Sequence, residues 1–372
     1  MNSTRKFLAL AWRLAVCGLL LAWIFQTIFW HEGQLAWTST GQQPAWQELT
    51  RAQRLEASWI HGPRELWRNV SAVRPGPLAL SLVFMGATIF LSVVRWRLVL
   101  RVHGLNLSFA RATEISLVAH FFNSFLLGSS GGDLMKAYYA ARETHHKKTE
   151  AAVTVFADRL IGLFSMLLFA SVMMLPNREL LSSHGRLGAV SWLVLAMLAA
   201  CGGLMFLAFW GGVSKGVPRA REWLRRLPRG AVIEQCLDAC RVFGARPAFL
   251  AQSLALSLAL NTLCVLQLLA LSHGLGLGVP PTALFVIVPI IICIAALPVT
   301  PSGLGLRENL YVLMLAAPGL AVPHTAALSL SLLAFAGSLA WSIVGGLVYL
   351  GFKQKHHLTE AELQQVGPQD NV

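Results

Sequence analysis

Acidic side chains are scarce in this chain: 17 Asp and Glu stand against 30 Lys and Arg in 372 residues. Charged residues of every kind make up 13% of the sequence, far below the roughly 25% usual for soluble domains. With a mean hydropathy of +0.59, that shortage excludes a water-soluble globular fold and leaves an all-α polytopic membrane protein. Cysteine is also sparse. Of the six, four fall inside apolar runs, where a thiol packs as a small hydrophobe. Cys236 and Cys240 are one helical turn apart, but no nearby His or Cys completes a metal set, and no metal or other cofactor is expected. No nucleotide-binding loop is present. The formal net charge of +13 would suit nucleic acid, yet the basic residues lie between apolar spans and form no nucleic-acid module. No nucleic-acid partner is expected; the basic residues suit membrane topology and anionic head groups.

Long apolar runs are what the chain has instead. Residues 1–30 contain the first, preceded by Arg5 and Lys6 and ending in Trp23, Phe25, Phe29 and Trp30. Without a small-x-small cleavage site, it reads as an uncleaved transmembrane helix with an interfacial aromatic end. Residues 31–76 are polar, and Trp46, Leu49, Leu55 and Trp59 recur at roughly helical spacing. An amphipathic helix on the extracytoplasmic membrane surface is expected there. Residues 77–352 form the membrane domain, with full spans expected over 77–101, 151–176, 187–212, 248–272 and 325–352, and a polar tail follows at 353–372. With the first helix this makes about six full spans.

Two further apolar runs are broken. The first carries Glu114, His120 and Asn123 and stops at a glycine-serine break, Gly128–Gly132. A second helix is expected to start at Asp133 and to carry Lys136 and Arg142. The other run, 284–297, is about 14 residues, or roughly 21 Å, too short for a hydrocarbon core of about 30 Å. It ends at Pro298, Pro301, Gly303 and Gly305, and a short helix opens with Arg307 and Glu308. Proline prevents a continuous helix, and glycine permits close backbone approach.

Basic residues orient the chain. The segment 214–246 holds eight Lys and Arg, from Lys215 to Arg246, against Glu222, Glu234 and Asp238, and is placed in the cytoplasm. Anionic lipids are its expected partners. With both termini cytoplasmic, Arg95 to Arg101 and Lys353 with Lys355 fall on the same side. The two breaks then enter from opposite faces. That arrangement points to two opposed re-entrant elements, and to an inverted repeat around a midplane site.

The chemistry at the breaks follows from residue type. Ser130, Gly131 and Gly132 precede a helix N-terminus with free N–H groups, which together with Lys136 suits an anion. Asp133 opposes that reading, because as an N-cap it would occupy those N–H groups and repel the anion. Asp133, Asp158 and Glu308 are intramembrane or flanking carboxylates of a kind that is costly and usually functional. Asp158 and Arg159 are helical neighbours facing different ways, so each needs its own partner. Lys136 or Arg307 could meet Asp158; Glu308, Asp133 or a lipid phosphate could meet Arg159.

At these residues the chain resembles the lysylphosphatidylglycerol-synthase transmembrane-domain family, flippase-like integral membrane proteins. The resemblance rests on Asn123 through Gly131-Gly132-Asp133 and its basic helix, on Asp158-Arg159, and on Pro298-x-x-Pro301-x-Gly303-x-Gly305-x-x-Glu308, and spans roughly 78–350. It implies a domain that moves a lipid or lipid-linked glycan between leaflets. Members that make lysyl-lipid carry a soluble aminoacyl-transferase domain; the short tail here leads to the expectation of a stand-alone member without it. Asp158 stands where Glu is usual, and Ser129-Ser130 replaces Pro-Gly, which leaves the head group open.

The expected protein is thus a lipid flippase of the bacterial cytoplasmic (inner) membrane, without enzymatic chemistry of its own. Asn123, Ser130, Gly131, Gly132, Asp133, Lys136, Asp158, Arg159, Pro301, Gly303, Gly305, Arg307 and Glu308 would line its substrate path. A membrane-embedded transferase is the alternative, as is a non-catalytic subunit serving a lipid-biosynthetic enzyme.

Overall fold

A computed structural model describes residues 26, 29–30, 33–34, 36–41, 43–71, 73–125, 130–143, 148–178, 181, 185–210, 230–296, 306–317, 320 and 322–351. Among these the secondary structure is helical, with no strand. Helix α1 covers Arg51–Ser71, α2 Pro75–Val102, α3 Phe109–Phe125, α4 Ser130–Glu143 and α5 Lys148–Met174. A 3-10 turn over Leu175–Asn177 follows, then α6 at Gly185–Phe209, α7 at Gly230–Gly244 and α8 at Pro247–Gly274. The last three are α9 at Pro281–Ala295, α10 at Leu306–Leu315 and α11 at His324–Gly351.

Five of these helices, α2, α5, α6, α8 and α11, are long and apolar enough to cross a membrane. The protein is therefore an all-α, multi-pass membrane protein. Large apolar side chains stay exposed on outer faces, among them Val83, Trp192, Phe206 and Leu347, as lipid-facing surfaces require and water-facing ones avoid. The first expected span lies mostly outside the described residues. Proline opens α2, α8 and α9, where its missing N–H costs nothing. Gly104 and Gly276, at φ +70 and +69, turn the chain after α2 and α8.

Helices α2 and α8 pack along each other, and α3 lies between its partner α4 and the last span, α11. Close approach of α3 and α11 depends on Gly345, where a Cβ would overlap the Leu117 carbonyl. The short helices pair in sequence order, α3 with α4 and α9 with α10, and α5 touches both α4 and α9. At 15 residues, α9 is about 22 Å long and does not cross a core of about 30 Å.

Two expectations change here. The amphipathic helix begins at Arg51 and runs to Ser71. Trp46 and Leu49 lie before it and bury themselves with Ala57 against Trp30 and Trp37, while Leu55 and Trp59 are exposed. Helical spacing placed them on one face; the turn at 46–48 splits them between two environments. The second helix of the first broken element starts at Ser130, three residues earlier than expected. Asp133 is therefore inside the first turn and is not the N-cap.

Candidate functional site

Thr88, Ser92 and Arg95 follow one another at i, i+4 and i+7 along α2, and Ser253, Ser257 and Asn261 at i, i+4 and i+8 along α8. Each spacing puts three polar side chains on one face of an otherwise apolar helix. Packing of α2 with α8 joins the two stripes: the Arg95 guanidinium donates to Ser257 Oγ at 2.9 Å. Its Nε donates to Asp158 Oδ1 on α5 at 2.8 Å, and another nitrogen donates to the Asp158 backbone carbonyl at 3.3 Å.

Lys136 of α4 completes the cluster. Its Nζ donates to Asp158 Oδ2 at 3.2 Å and sits 4.3 Å over the Trp96 ring. Arg95, Lys136 and Asp158 retain 7%, 8% and 5% of their exposure. One buried carboxylate thus serves two buried cations. The cation–π contact offsets part of the excess positive charge, but an uncompensated charge at this depth remains costly.

The neck of the first broken element is capped across the break. Asn123 Oδ1 accepts the Gly132 N–H at 2.8 Å, satisfying one of the free donors at the start of α4. Gly132 is needed there because a Cβ would overlap the Ala119 carbonyl and the Asn123 side chain. Gly131 is buried beside it, and Ser130 opens the helix. Asp133 pairs with Arg159 Nε at 3.5 Å, both partly exposed. Of the partners open from sequence, Asp158 takes Lys136 and Arg159 takes Asp133.

In the second broken element the Arg307 guanidinium lies 2.7 Å from Glu308 Oε1. Its Nε donates to Ser331 Oγ at 3.2 Å, and the group sits 4.9 Å from the Phe335 ring. Glu308 is almost fully buried. Pro301, Gly303 and Gly305, with the break at Gly128–Ser129, lie outside the described residues. His120, one turn from Asn123, puts Nε2 3.3 Å from the Ser338 carbonyl.

These elements surround one cavity of about 490 Å³. The first broken element contributes His120, Asn123, Asp133 and Lys136 to its wall; the second contributes Ala295, Ala296 and Arg307. Arg95, Asp158 and Arg159 line it from α2 and α5, and Ser116 and Asn261 from α3 and α8. Arg95 was read from sequence as a topology marker closing its span. It turns inward, unlike Arg97, whose Nε donates to the Leu107 carbonyl at the helix end. The two polar stripes were the available signal for Arg95, Ser257 and Asn261.

No group of three or more His, Cys, Asp or Glu among the described residues has the geometry of a metal site. Burial pushes the Cys240 thiol, on α7, up to about 11, so it stays protonated and packs as an apolar group.

Residues 57–346 match the family described as the lysylphosphatidylglycerol synthase TM region. The chain is also similar to a UPF0104 membrane protein of Methanothermobacter thermautotrophicus, at 25% identity over 289 residues, covering 71% of this chain and 80% of that protein.

Proposed function

The chain belongs to the lysylphosphatidylglycerol synthase TM region family, and on that premise we propose that it translocates a lipid, or a lipid-linked glycan, between membrane leaflets without transferring any group. One observation carries the reading: both pairs of short helices deliver ionisable residues to the same cavity, Asp133 and Lys136 from one and Arg307 from the other. Interrupted helices at membrane depth are tolerated where they line a polar cavity, and paired interruptions in the two halves of a transporter mark its substrate site. The polar head group occupies this cavity, with its acyl chains left in the bilayer. The two pairs act as opposed re-entrant elements of an inverted repeat, and alternate loosening of each passes the head group across.

Charge distribution supports a cytoplasmic-membrane orientation with both termini inside. The basic segment 214–246 then faces the cytoplasm, where it meets anionic lipid.

The test is leaflet exchange of fluorescent lipids in vesicles holding the purified full chain, with and without an imposed proton gradient. Vesicles with protein should expose inner-leaflet label faster than protein-free ones. Asp133→Asn and Glu308→Gln, checked for normal unfolding temperature, should slow it. Rates no faster than those of protein-free vesicles for every lipid class, with and without the gradient, would overturn the reading.

A further inference from the structure

Helices α4 and α5 are joined in two different ways along their seam. Tyr139 and Ala140 of α4 pack in one apolar core with α2, α3 and α11, and Ala151 and Val155 join it from the start of α5. Past Val155 that core takes nothing more from α5. Leu160 and Ile161 belong to a second core, built with α6, α8, α9 and α10. Beyond Val155 the seam is closed by charge: Lys136 reaches Asp158 inside it, and Asp133 reaches Arg159 at its outer edge.

The outer pair is anomalous for its depth. Arg159 stands about 16 Å into a helix of 27 residues, itself about 40 Å long, and so near the middle of the bilayer. Its side chain is 42% exposed and that of Asp133 31%, whereas Arg95, Lys136 and Asp158 are buried. Both members of the pair line the cavity, yet their neighbours face outward. Leu134, beside Asp133, is 71% exposed; Tyr138, one turn further along α4, and Phe156, about one turn before Arg159, are exposed too. Charge at that depth is costly and is kept where it serves a function. A pair reached from the cavity on one side and flanked by exposed apolar side chains on the other stands where the cavity meets the hydrocarbon.

We infer that the α4–α5 seam is a lateral portal that docks a membrane lipid. The lipid's polar end passes between the two helices into the cavity, while its acyl chains lie on Leu134, Tyr138 and Phe156. Asp133 and Arg159 form the latch. The apolar contact of Tyr139 and Ala140 with Ala151 and Val155 is the hinge, because it holds the helices together when the latch parts. The inference rests on the translocation reading above and adds the place of entry and the surface that receives the chains.

A phospholipid carrying a photoactivatable diazirine beside its glycerol backbone supplies the test, in vesicles holding the purified full chain. An undisturbed lipid keeps that group at the interface, so it reaches mid-bilayer residues only where the polar end is drawn inward. Cross-links should be several-fold denser on residues 133–138 and 156–159 than at Leu195 and Leu258, which are exposed at similar depth on α6 and α8. This arm needs no variant, so a misfolded substitution leaves the test intact. The second arm uses a chain whose six native cysteines are replaced by serine. A bulky thiol reagent on Leu134→Cys or Phe156→Cys should slow leaflet exchange several-fold, and the same reagent on Leu195→Cys or Leu258→Cys should leave it unchanged. Cross-links spread evenly over exposed positions of that depth, or gathered at another seam, overturn the portal. Exchange at full rate with labels at 134 and 156 also overturns it. The two readings fail separately: dense cross-linking at the seam without leaflet exchange removes translocation and keeps the portal, whereas exchange without such cross-linking removes the portal and keeps translocation.

Discussion

Gly162 makes room for Arg95. A Cβ at Gly162 would lie 2.9 Å from one terminal guanidinium nitrogen and 3.0 Å from the other. The glycine stands one turn beyond Asp158 on α5, so the absence of a side chain there lets Arg95 lie flat against the helix that carries its carboxylate. Gly162→Ala gains about 1 kcal/mol of helix propensity and spends it displacing a guanidinium pinned by Asp158 and Ser257. The expected unfolding temperature is nearly unchanged while lipid exchange falls several-fold. With Gly162→Leu, where no small shift suffices, both should drop.

The two-to-one charge ratio at Asp158 orders the outcomes of substitution. Asp158→Asn leaves two buried cations with no carboxylate, and breaking a buried ion pair costs about 3–5 kcal/mol. Lys136→Met leaves Arg95 and Asp158 as a balanced pair and fills the same space with an apolar side chain. Its stability should equal or exceed that of the parent, although lipid exchange falls. Thermal unfolding in detergent measures the first quantity and leaflet exchange in vesicles the second. Lys136→Met proving as destabilising as Asp158→Asn would remove the argument from excess charge.

At the first break, Asn123→Ala removes the acceptor that caps Gly132, with an expected loss of about 1 kcal/mol. Gly132→Ala should cost more than that and disturb function as well, because its Cβ meets the Ala119 carbonyl and Asn123 together. Restricting the loss to the start of α4 is the specific claim. Hydrogen exchange should show faster opening of α4 in both variants, with α2 and α8 unaffected.

Orientation is checked by labelling. In a chain whose six native cysteines are replaced by serine, single cysteines introduced as Ser71→Cys and Ser214→Cys should react with a membrane-impermeant reagent from opposite sides, Ser214→Cys from the cytoplasmic side only. Labelling of both positions from one side would remove the proposed topology, and labelling of Ser214→Cys from the outer side with Ser71→Cys from the cytoplasmic side would invert it.

Composition and hydropathy by themselves determined the class of this protein and most of its helices. A chain so poor in charge must bury its backbone polar groups within apolar segments, and in lipid an α-helix achieves that locally. Hence the five spans among the described residues begin and end within a few residues of where length and proline place them. Sequence also singled out Asn123, Asp133, Lys136, Asp158 and Glu308, because carboxylates and polar groups in apolar runs are expensive wherever they point. Which groups meet was decided only by the tertiary structure. Asp158 had two candidate partners along the chain, and one of them, Lys136, became real when α4 packed against α5. Arg95 looked like a boundary charge until α2 and α8 met and turned it inward to Asp158 and Ser257. Pairing of buried charges depends on distances of a few ångströms between helices far apart in sequence, and neither helical period nor composition carries that information.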